Sequence, residues 1–241
     1  MIPQPLSAVI FDKDGLLLDT ETVVKKAMFQ ACEDLGHRMT DVLHLGLIGQ
    51  ARDATDATLM AHYGADFPLV TYRERCRIHF EDICRDEVPV KPGARALLAF
   101  LKERRIPAAV ATSTNRWRSE ENLKRTGLGE FVSVLVSRDD VERAKPHPEC
   151  FLKAAALLGA APSECLALED SHYGVRAAHA AGIATIMVPD MLEATPDIAA
   201  LCVGVARSLG EVHEHIAASL AGVETKSKTV MARNSGPSRR S

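Results

Sequence analysis

Short apolar runs alternate along the chain with stretches in which apolar residues recur at helical spacing. Each run is typical of a strand that is buried on both faces of a sheet. The runs fall near residues 8–10, 106–112, 132–136, 165–168, 183–188 and 202–206, and helices are predicted over 23–35, 94–101, 116–126, 148–158, 171–182 and 209–220. This alternation predicts an α/β fold with a doubly wound, Rossmann-like parallel sheet and right-handed crossovers.

The interval between the first two runs does not fit this alternation. A strand–helix–strand unit needs about 30 residues, whereas roughly 100 positions separate Asp12 from Thr112. Helical periodicity over 50–62 and 70–87 predicts a helical insertion there. We expect a core formed by residues 1–19 and 91–221 and a helical cap formed by 20–90, which could close over a site and exclude water. A separate helical domain with its own partner is the alternative.

Composition narrows the class of protein. The 241 residues are 46% hydrophobic and 25% charged with a formal net charge of −3, as in ordinary soluble globular proteins. This balance argues against a binder of nucleic acid or membrane surfaces, and no apolar stretch approaches the ~20 residues that span a bilayer. The first residues lack signal-peptide features, and six scattered cysteines indicate free thiols in a reducing cytoplasm. The basic, polar residues 222–241 predict a disordered tail.

Two carboxylates follow the first apolar run. Asp12 comes where the strand should end, and Asp14 and Gly15 follow after one intervening residue. Open α/β sheets bind ligands beyond the carboxyl ends of their strands, so both acids are candidates for a site there, although a turn with solvated acids would look the same. Strand alternation predicts that Lys13 points away from the two acids.

Polar residues also follow three later strands. Thr112 precedes a helix whose N-terminus favours an anion, although a plain helix cap is the alternative. Lys145 directly precedes a stretch that Pro146 and Pro148 stiffen and could neutralise a phosphate, although lone lysines are usually solvated. Glu169 and Asp170 would repel the first two acids unless a cation lay between them. A carboxylate-rich, oxygen-only set is the pattern that Mg²⁺ prefers.

These motifs together resemble a known family. The segment 11–21, Phe-Asp-Lys-Asp-Gly-Leu-Leu-Leu-Asp-Thr-Glu, looks like the first signature of the haloacid dehalogenase superfamily. Thr112, Lys145 and the pair Glu169 and Asp170 are similar to its second, third and fourth signatures, in order. The helical insertion resembles the small cap of the subgroup that includes β-phosphoglucomutase and many sugar-phosphate phosphatases. Lys13 departs from the pattern, which more usually has an apolar residue there.

The resemblance implies a phosphatase mechanism. Asp12 would be the nucleophile that forms an aspartyl-phosphate, and Asp14 would be the general acid and base. Mg²⁺ would be bound by Asp12, the backbone carbonyl of Asp14, Asp170 and, directly or through water, Glu169, although support of the site is the alternative for Glu169. The phosphate would contact three further residues, namely Thr112, Ser113 and Lys145.

Substrate choice is expected in the cap. Arg52 in Gly49-Gln50-Ala51-Arg52 resembles a cap arginine that binds a distal phosphate, and Thr20 at the hinge could add a hydroxyl. Val24 stands where the mutase has a histidine, which favours a phosphatase over a β-phosphoglucomutase-like phosphotransferase. The expected substrate is a small phosphorylated metabolite, a sugar phosphate or a nucleotide, and the expected assembly is a monomer or small homo-oligomer.

Two other classes use similar residues. Response-regulator receivers combine acids, a hydroxyl and a lysine on a parallel sheet, but there the lysine comes last, whereas here Lys145 precedes the acidic pair 169–170. A non-catalytic binding module would not require the complete set of acids. An enzyme is therefore the favoured interpretation.

Overall fold

The core of the protein is a six-stranded parallel sheet. The structure, a computed structural model, describes residues 1–48, 52–85 and 88–234, with side chains described for 1–48, 53–85 and 88–222. The strands, in the sheet order β3-β2-β1-β4-β5-β6, have the bounds β1 Ala8–Phe11, β2 Ala108–Ala111, β3 Val132–Val136, β4 Cys165–Glu169, β5 Ala184–Met187 and β6 Gly204–Val205. All neighbouring pairs are parallel. The predicted doubly wound α/β fold is confirmed.

Helices pack on both faces of the sheet. Their bounds are α1 Thr20–Asp34, α2 Asp41–Leu47, α3 Arg52–Tyr63, α4 Leu69–Ile83, α5 Ala94–Glu103, α6 Arg116–Arg125, α7 Glu149–Leu158, α8 His172–Ala180, α9 Pro196–Ala199 and α10 Leu209–Asn234. Alternate residues of the central strand β1 face opposite sides, as the pleat requires. Val9 and Phe11 join a buried cluster with α5 and α10, whereas Ala8 and Ile10 join one with α7 and α8.

The helical segment 20–85 has a hydrophobic core of its own. Helices α1 and α4 pack along each other, and the segment buries a cluster of seven residues: Ala31, Cys32, Met39, Leu47, Leu59, Phe67 and Tyr72. The predicted helices near 50–62 and 70–87 correspond to α3 and α4. Helix α2 lies in the stretch 41–87, which was predicted to be helical without separate bounds for this helix. Its first turn is capped by the Thr40 hydroxyl, which accepts a hydrogen bond from the amide of Leu43 at 3.2 Å.

Two connections join the helical segment to the sheet core at the end of β1. They run antiparallel, because the amide of Asp19 donates to Pro89 O and the amide of Lys91 donates to Leu17 O, both at 2.9 Å. The Lys91 ammonium also lies 2.5 Å from Asp190 Oδ1 in the core and 3.3 Å from Asp19 Oδ1. The boundaries at residues 19/20 and 90/91 stay predictions.

The last helix, α10, continues into the C-terminal region of the chain. The backbone of α10 runs to Asn234, its side chains are described to residue 222, and residues 235–241 lie outside the described part of the chain. The disorder predicted for 222–241 stays a prediction. Within the described residues, no helix is long and apolar enough to cross a membrane.

Candidate active site

The turn after β1 carries the first two acids. The amide of Asp12 donates to Leu168 O at 3.0 Å, so Asp12 stays hydrogen-bonded to the neighbouring strand β4. The carbonyl of Lys13 then accepts bonds from the amides of residues 17 and 18, and Gly15 takes a φ of +82°. A Cβ at Gly15 would overlap the carboxyl group of Asp170. Glycine therefore meets two needs of this turn, the left-handed conformation and the close approach to Asp170.

Lys145 links three strands of the sheet at this edge. Its ammonium donates to Asp12 Oδ1 at 2.6 Å, to the carbonyl of Ala111 at 3.0 Å and to Glu169 Oε1. The side chain is only 6% exposed. Burial alone would lower the pKa of Lys145, but the charges of Asp12 and Glu169 outweigh burial and raise it. Lys145 is therefore a permanent buried cation beside Asp12.

Glu169 is fully buried, and both of its carboxylate oxygens have partners. Oε1 contacts Lys145, and Oε2 accepts bonds from the amides of Asp170 and Ser171, each at 3.1 Å, and from the Ser171 hydroxyl at 3.0 Å. A Cβ at Gly174, in the first turn of α8, would overlap the same carboxyl group. These contacts hold Glu169 between Lys145 and the start of α8.

The carboxyl groups of Asp12 and Asp170 lie in surroundings that disfavour their ionised forms. Burial raises the pKa of Asp12 to about 7 although Lys145 acts in the opposite direction, and Glu169 contributes to the increase. The pKa of Asp170 is also raised, first by burial and then by the charges of Glu169 and Asp12. Nearby positive charge would relieve both groups. In the described part, no group of three or more His, Cys, Asp or Glu side chains is arranged to hold a metal. The metal ligands expected at Asp12, Asp14, Glu169 and Asp170 stay predictions.

Asp14 accepts hydrogen bonds from four side chains. Oδ1 accepts from the Lys13 ammonium at 2.7 Å and from the Thr20 hydroxyl at 3.0 Å, and Oδ2 accepts from the hydroxyls of Thr114 at 2.6 Å and Thr112 at 3.3 Å. Burial alone would raise the pKa of Asp14, but Lys13 and the hydroxyl donors together lower it. The two acids of the first motif therefore have opposite pKa shifts.

The prediction that Lys13 points away from the acids is wrong. Strand alternation does not extend to Lys13, because β1 ends before Asp12 and the chain turns. Thr114 was missed as well, although the run Thr112-Ser113-Thr114 places a second hydroxyl two residues after the first. Ser113 itself is exposed. The structure thus brings together all predicted core residues of the site, while their individual roles stay predictions.

A cleft of about 620 Å³ lies between the helical segment and the core. Asp170 belongs to its wall on the core side, and Val24 of α1 belongs to its wall on the helical segment. Glu21 lines it too, and its pKa is raised first by burial and then by the charge of Asp14. Thr20 is buried and contacts Asp14. The Arg52 side chain and residues 49–51 lie outside the described residues, so the predicted distal-phosphate contact stays a prediction.

Comparison with known proteins identifies the family. Residues 6–182 match the model of haloacid dehalogenase-like hydrolases. The chain is 34% identical over 181 residues to a phosphorylated carbohydrates phosphatase of Thermotoga maritima, covering 75% of this chain and 84% of that protein. It is 31% identical over 193 residues to hexitol phosphatase B of Escherichia coli K12, covering 78% and 85%. The protein belongs to the haloacid dehalogenase-like hydrolase family and is an enzyme of that class.

A solved structure supports the same assignment. The crystal structure of CbbY from Rhodobacter sphaeroides in complex with phosphate superposes with a TM-score of 0.69 at 25% identity, over 86% of this chain and 96% of that chain. The similarity covers too much of this chain to leave out the whole helical segment.

Proposed function

We propose that the protein is a Mg²⁺-dependent phosphomonoester hydrolase that acts on a small phosphorylated metabolite through an aspartyl-phosphate. The observation that carries the proposal is the arrangement at the end of β1, where Lys145 holds one oxygen of Asp12 while Asp14 is anchored separately by four donors. Each carboxylate is thus held by its own buried lysine, and Asp14 is held in addition by three threonine hydroxyls. Such an arrangement gives two neighbouring acids different tasks.

Each step of the proposed reaction uses a residue of this site. Asp12 attacks phosphorus, the bond between phosphorus and the leaving oxygen breaks, and Asp14 donates a proton to that oxygen. Asp14 then removes a proton from the water that attacks the phosphorus of the aspartyl-phosphate, which releases phosphate and regenerates Asp12. Lys145, the Thr112 hydroxyl and the Ser113 amide stabilise the negative charge on the phosphoryl oxygens.

The donor set is compatible with Mg²⁺. The carboxylates of Asp12 and Asp170 and the backbone carbonyl of Asp14 are hard oxygen donors, and the raised pKa values of both carboxyl groups show that positive charge would stabilise their ionised forms. When bound, the ion supplies charge that lets an anionic nucleophile approach a phosphate. Glu169, whose oxygens already have four donors, is better placed to support Lys145 than to bind the ion directly.

The substrate would enter through the cleft beneath the helical segment, which we propose acts as a cap. The similar proteins named above, for phosphorylated carbohydrates and hexitol, support a small phosphorylated sugar or a related metabolite as substrate. Val24 in the cleft wall favours hydrolysis over phosphoryl transfer to a second hydroxyl. A cytoplasmic location and a monomeric or small homo-oligomeric state are part of the same proposal.

Replacement of the nucleophile tests the function. Asp12→Asn should lower Mg²⁺-dependent phosphate release from small phosphate esters by at least about 10³-fold, because an amide does not form the phosphoenzyme. Chelation of Mg²⁺ should have a comparable effect in the wild-type enzyme. The control is Asp66→Asn, at an exposed acid of the helical segment, which should retain full activity. Turnover of Asp12→Asn at the wild-type rate would refute the proposal.

A further inference from the structure

Lys13 occupies an unexpected position between the two aspartates. Its ammonium lies 2.7 Å from Asp14 Oδ1. We propose that Lys13 is a positioning residue, whose ammonium holds the Asp14 carboxylate in the orientation needed for proton transfer. This inference rests on the proposed function, since Asp14 transfers protons only in that reaction.

Burial makes the contact between Lys13 and Asp14 obligatory. The Lys13 side chain is 0% exposed, whereas that of Asp14 is 27% exposed. A buried ammonium without a partner is strongly unfavourable. Among the described residues, the Asp14 carboxylate is the one hydrogen-bond acceptor of Lys13. Asp14 reaches the surface of the site while Lys13 lies behind it, so the lysine restrains the acid without entering the cleft.

The ammonium differs in kind from the other three donors of Asp14. Thr20, Thr112 and Thr114 contribute hydroxyl groups, which can rotate and accept as well as donate, whereas an ammonium group only donates. A hydrogen bond between ionised groups is also stronger and more directional than a neutral one. Lys13 therefore fixes Oδ1 on one side of the carboxylate, while the hydroxyls at Oδ2 are free to adapt as a leaving group or water arrives.

A comparison of two leaving groups distinguishes the positioning role of Lys13 from a merely structural role. An alkyl phosphate such as glycerol phosphate needs a proton on its departing oxygen, whereas 4-nitrophenyl phosphate releases a stable anion. In Lys13→Met, single-turnover release of glycerol should slow by about 10-fold to 100-fold, and release of 4-nitrophenolate should stay within about 3-fold of wild type. Equal losses with both substrates would overturn the proposal.

A double-mutant cycle with Asp14→Asn tests whether Lys13 acts through Asp14. When Lys13→Met is added to Asp14→Asn, the residual rate should change by less than about 3-fold. The double variant should also melt at a higher temperature than Asp14→Asn alone, because the single variant leaves a buried ammonium beside an amide. Independent, multiplicative rate losses would contradict the inference.

Matched controls complete the test. Lys25→Met removes a lysine that also pairs with an aspartate, Asp41 at 2.6 Å, but is 39% exposed, and it should leave both rates unchanged. Lys13→Gln gives a neutral side chain of similar length if Lys13→Met does not fold, and it should show the same dependence on leaving group. A wild-type chain that releases no phosphate from any ester would refute the proposed function itself, and the inference with it.

Discussion

Gly174 offers a sensitive test of how the site is supported. It lies in the first turn of α8, where an alanine Cβ would come well inside 3.0 Å of three atoms of the Glu169 carboxyl group. Ordinary contacts of a Cβ begin near 3.4 Å, so the carboxyl group would have to move by roughly 1.5 Å. Gly174→Ala therefore acts on Glu169 without changing any charged side chain.

The cost of this movement follows from the hydrogen bonds of Glu169. Its carboxylate is fully buried and binds Lys145, the amides of Asp170 and Ser171, and the Ser171 hydroxyl. Overpacking and the partial loss of these bonds should together lower the free energy of unfolding by about 2–4 kcal/mol. Because Lys145 also binds Asp12, a shift of this size should lower kcat/KM by about 100-fold.

Thermal melting and steady-state phosphate release measure the two effects. Gly222→Ala in α10 is the control, since a Cβ there has nothing within 4 Å and alanine favours helix. Glu169→Asp shortens the crowded side chain, so Glu169→Asp combined with Gly174→Ala should be more active than Gly174→Ala alone. A Gly174→Ala enzyme with wild-type melting temperature and kcat/KM would show that the carboxylate can move freely, and the reasoning would fail.

Two further predictions concern Asp140 and Thr114. Burial alone would raise the pKa of Asp140, but hydrogen bonds from Arg116 and Ser137 lower it from 3.8 to about 2. The ionised Asp140 therefore stabilises the fold fully above pH 3.8, and this stabilisation is lost as the pH falls toward 2. The melting temperatures of wild type and Asp140→Asn should differ most near neutral pH and converge over that acidic range. Equal pH dependence in both proteins would contradict this. Thr114→Val removes the 2.6 Å donor to Asp14 and should lower kcat by about 10-fold with little change in melting temperature, measured on alkyl phosphates; an unchanged kcat would exclude the contact from the mechanism.

The sheet and the edge that carries the site were predictable from the apolar pattern. Buried parallel strands have a distinct signature, and the carboxyl ends of such strands meet at one edge. Asp12, Lys145 and Asp170 therefore had to lie close together once the alternation was recognised, and the structure places them there. The long interval before Thr112 also predicted the helical segment, because a crossover needs far fewer residues.

Side-chain directions in the turn were not predictable in the same way. Alternation holds only while the backbone is extended. Strand β1 ends at Phe11, so alternation does not determine the direction of the Lys13 side chain. The hydrogen bonds of Glu169 were not predictable either, because its carboxylate folds back onto the amides of residues 170 and 171 and contacts Lys145 from a distant part of the chain. The Thr20 hydroxyl, which was expected to add a contact to the substrate, instead donates to Asp14 from the first residue of α1.

The opposite pKa shifts of Asp12 and Asp14 indicate what a bound cation and a bound substrate must each supply. In the proposed reaction Asp12 has to be ionised and Asp14 protonated, yet burial raises the pKa of Asp12 to about 7, whereas Lys13 and two threonine hydroxyls lower the pKa of Asp14. A cation bound by Asp12 and Asp170 would lower the pKa of Asp12, and the negative charge of a phosphate ester beside Asp14 would raise the pKa of Asp14. The proposed reaction would therefore begin only after both the cation and the ester are bound, because the two shifts in the free protein oppose the protonation states that this reaction needs.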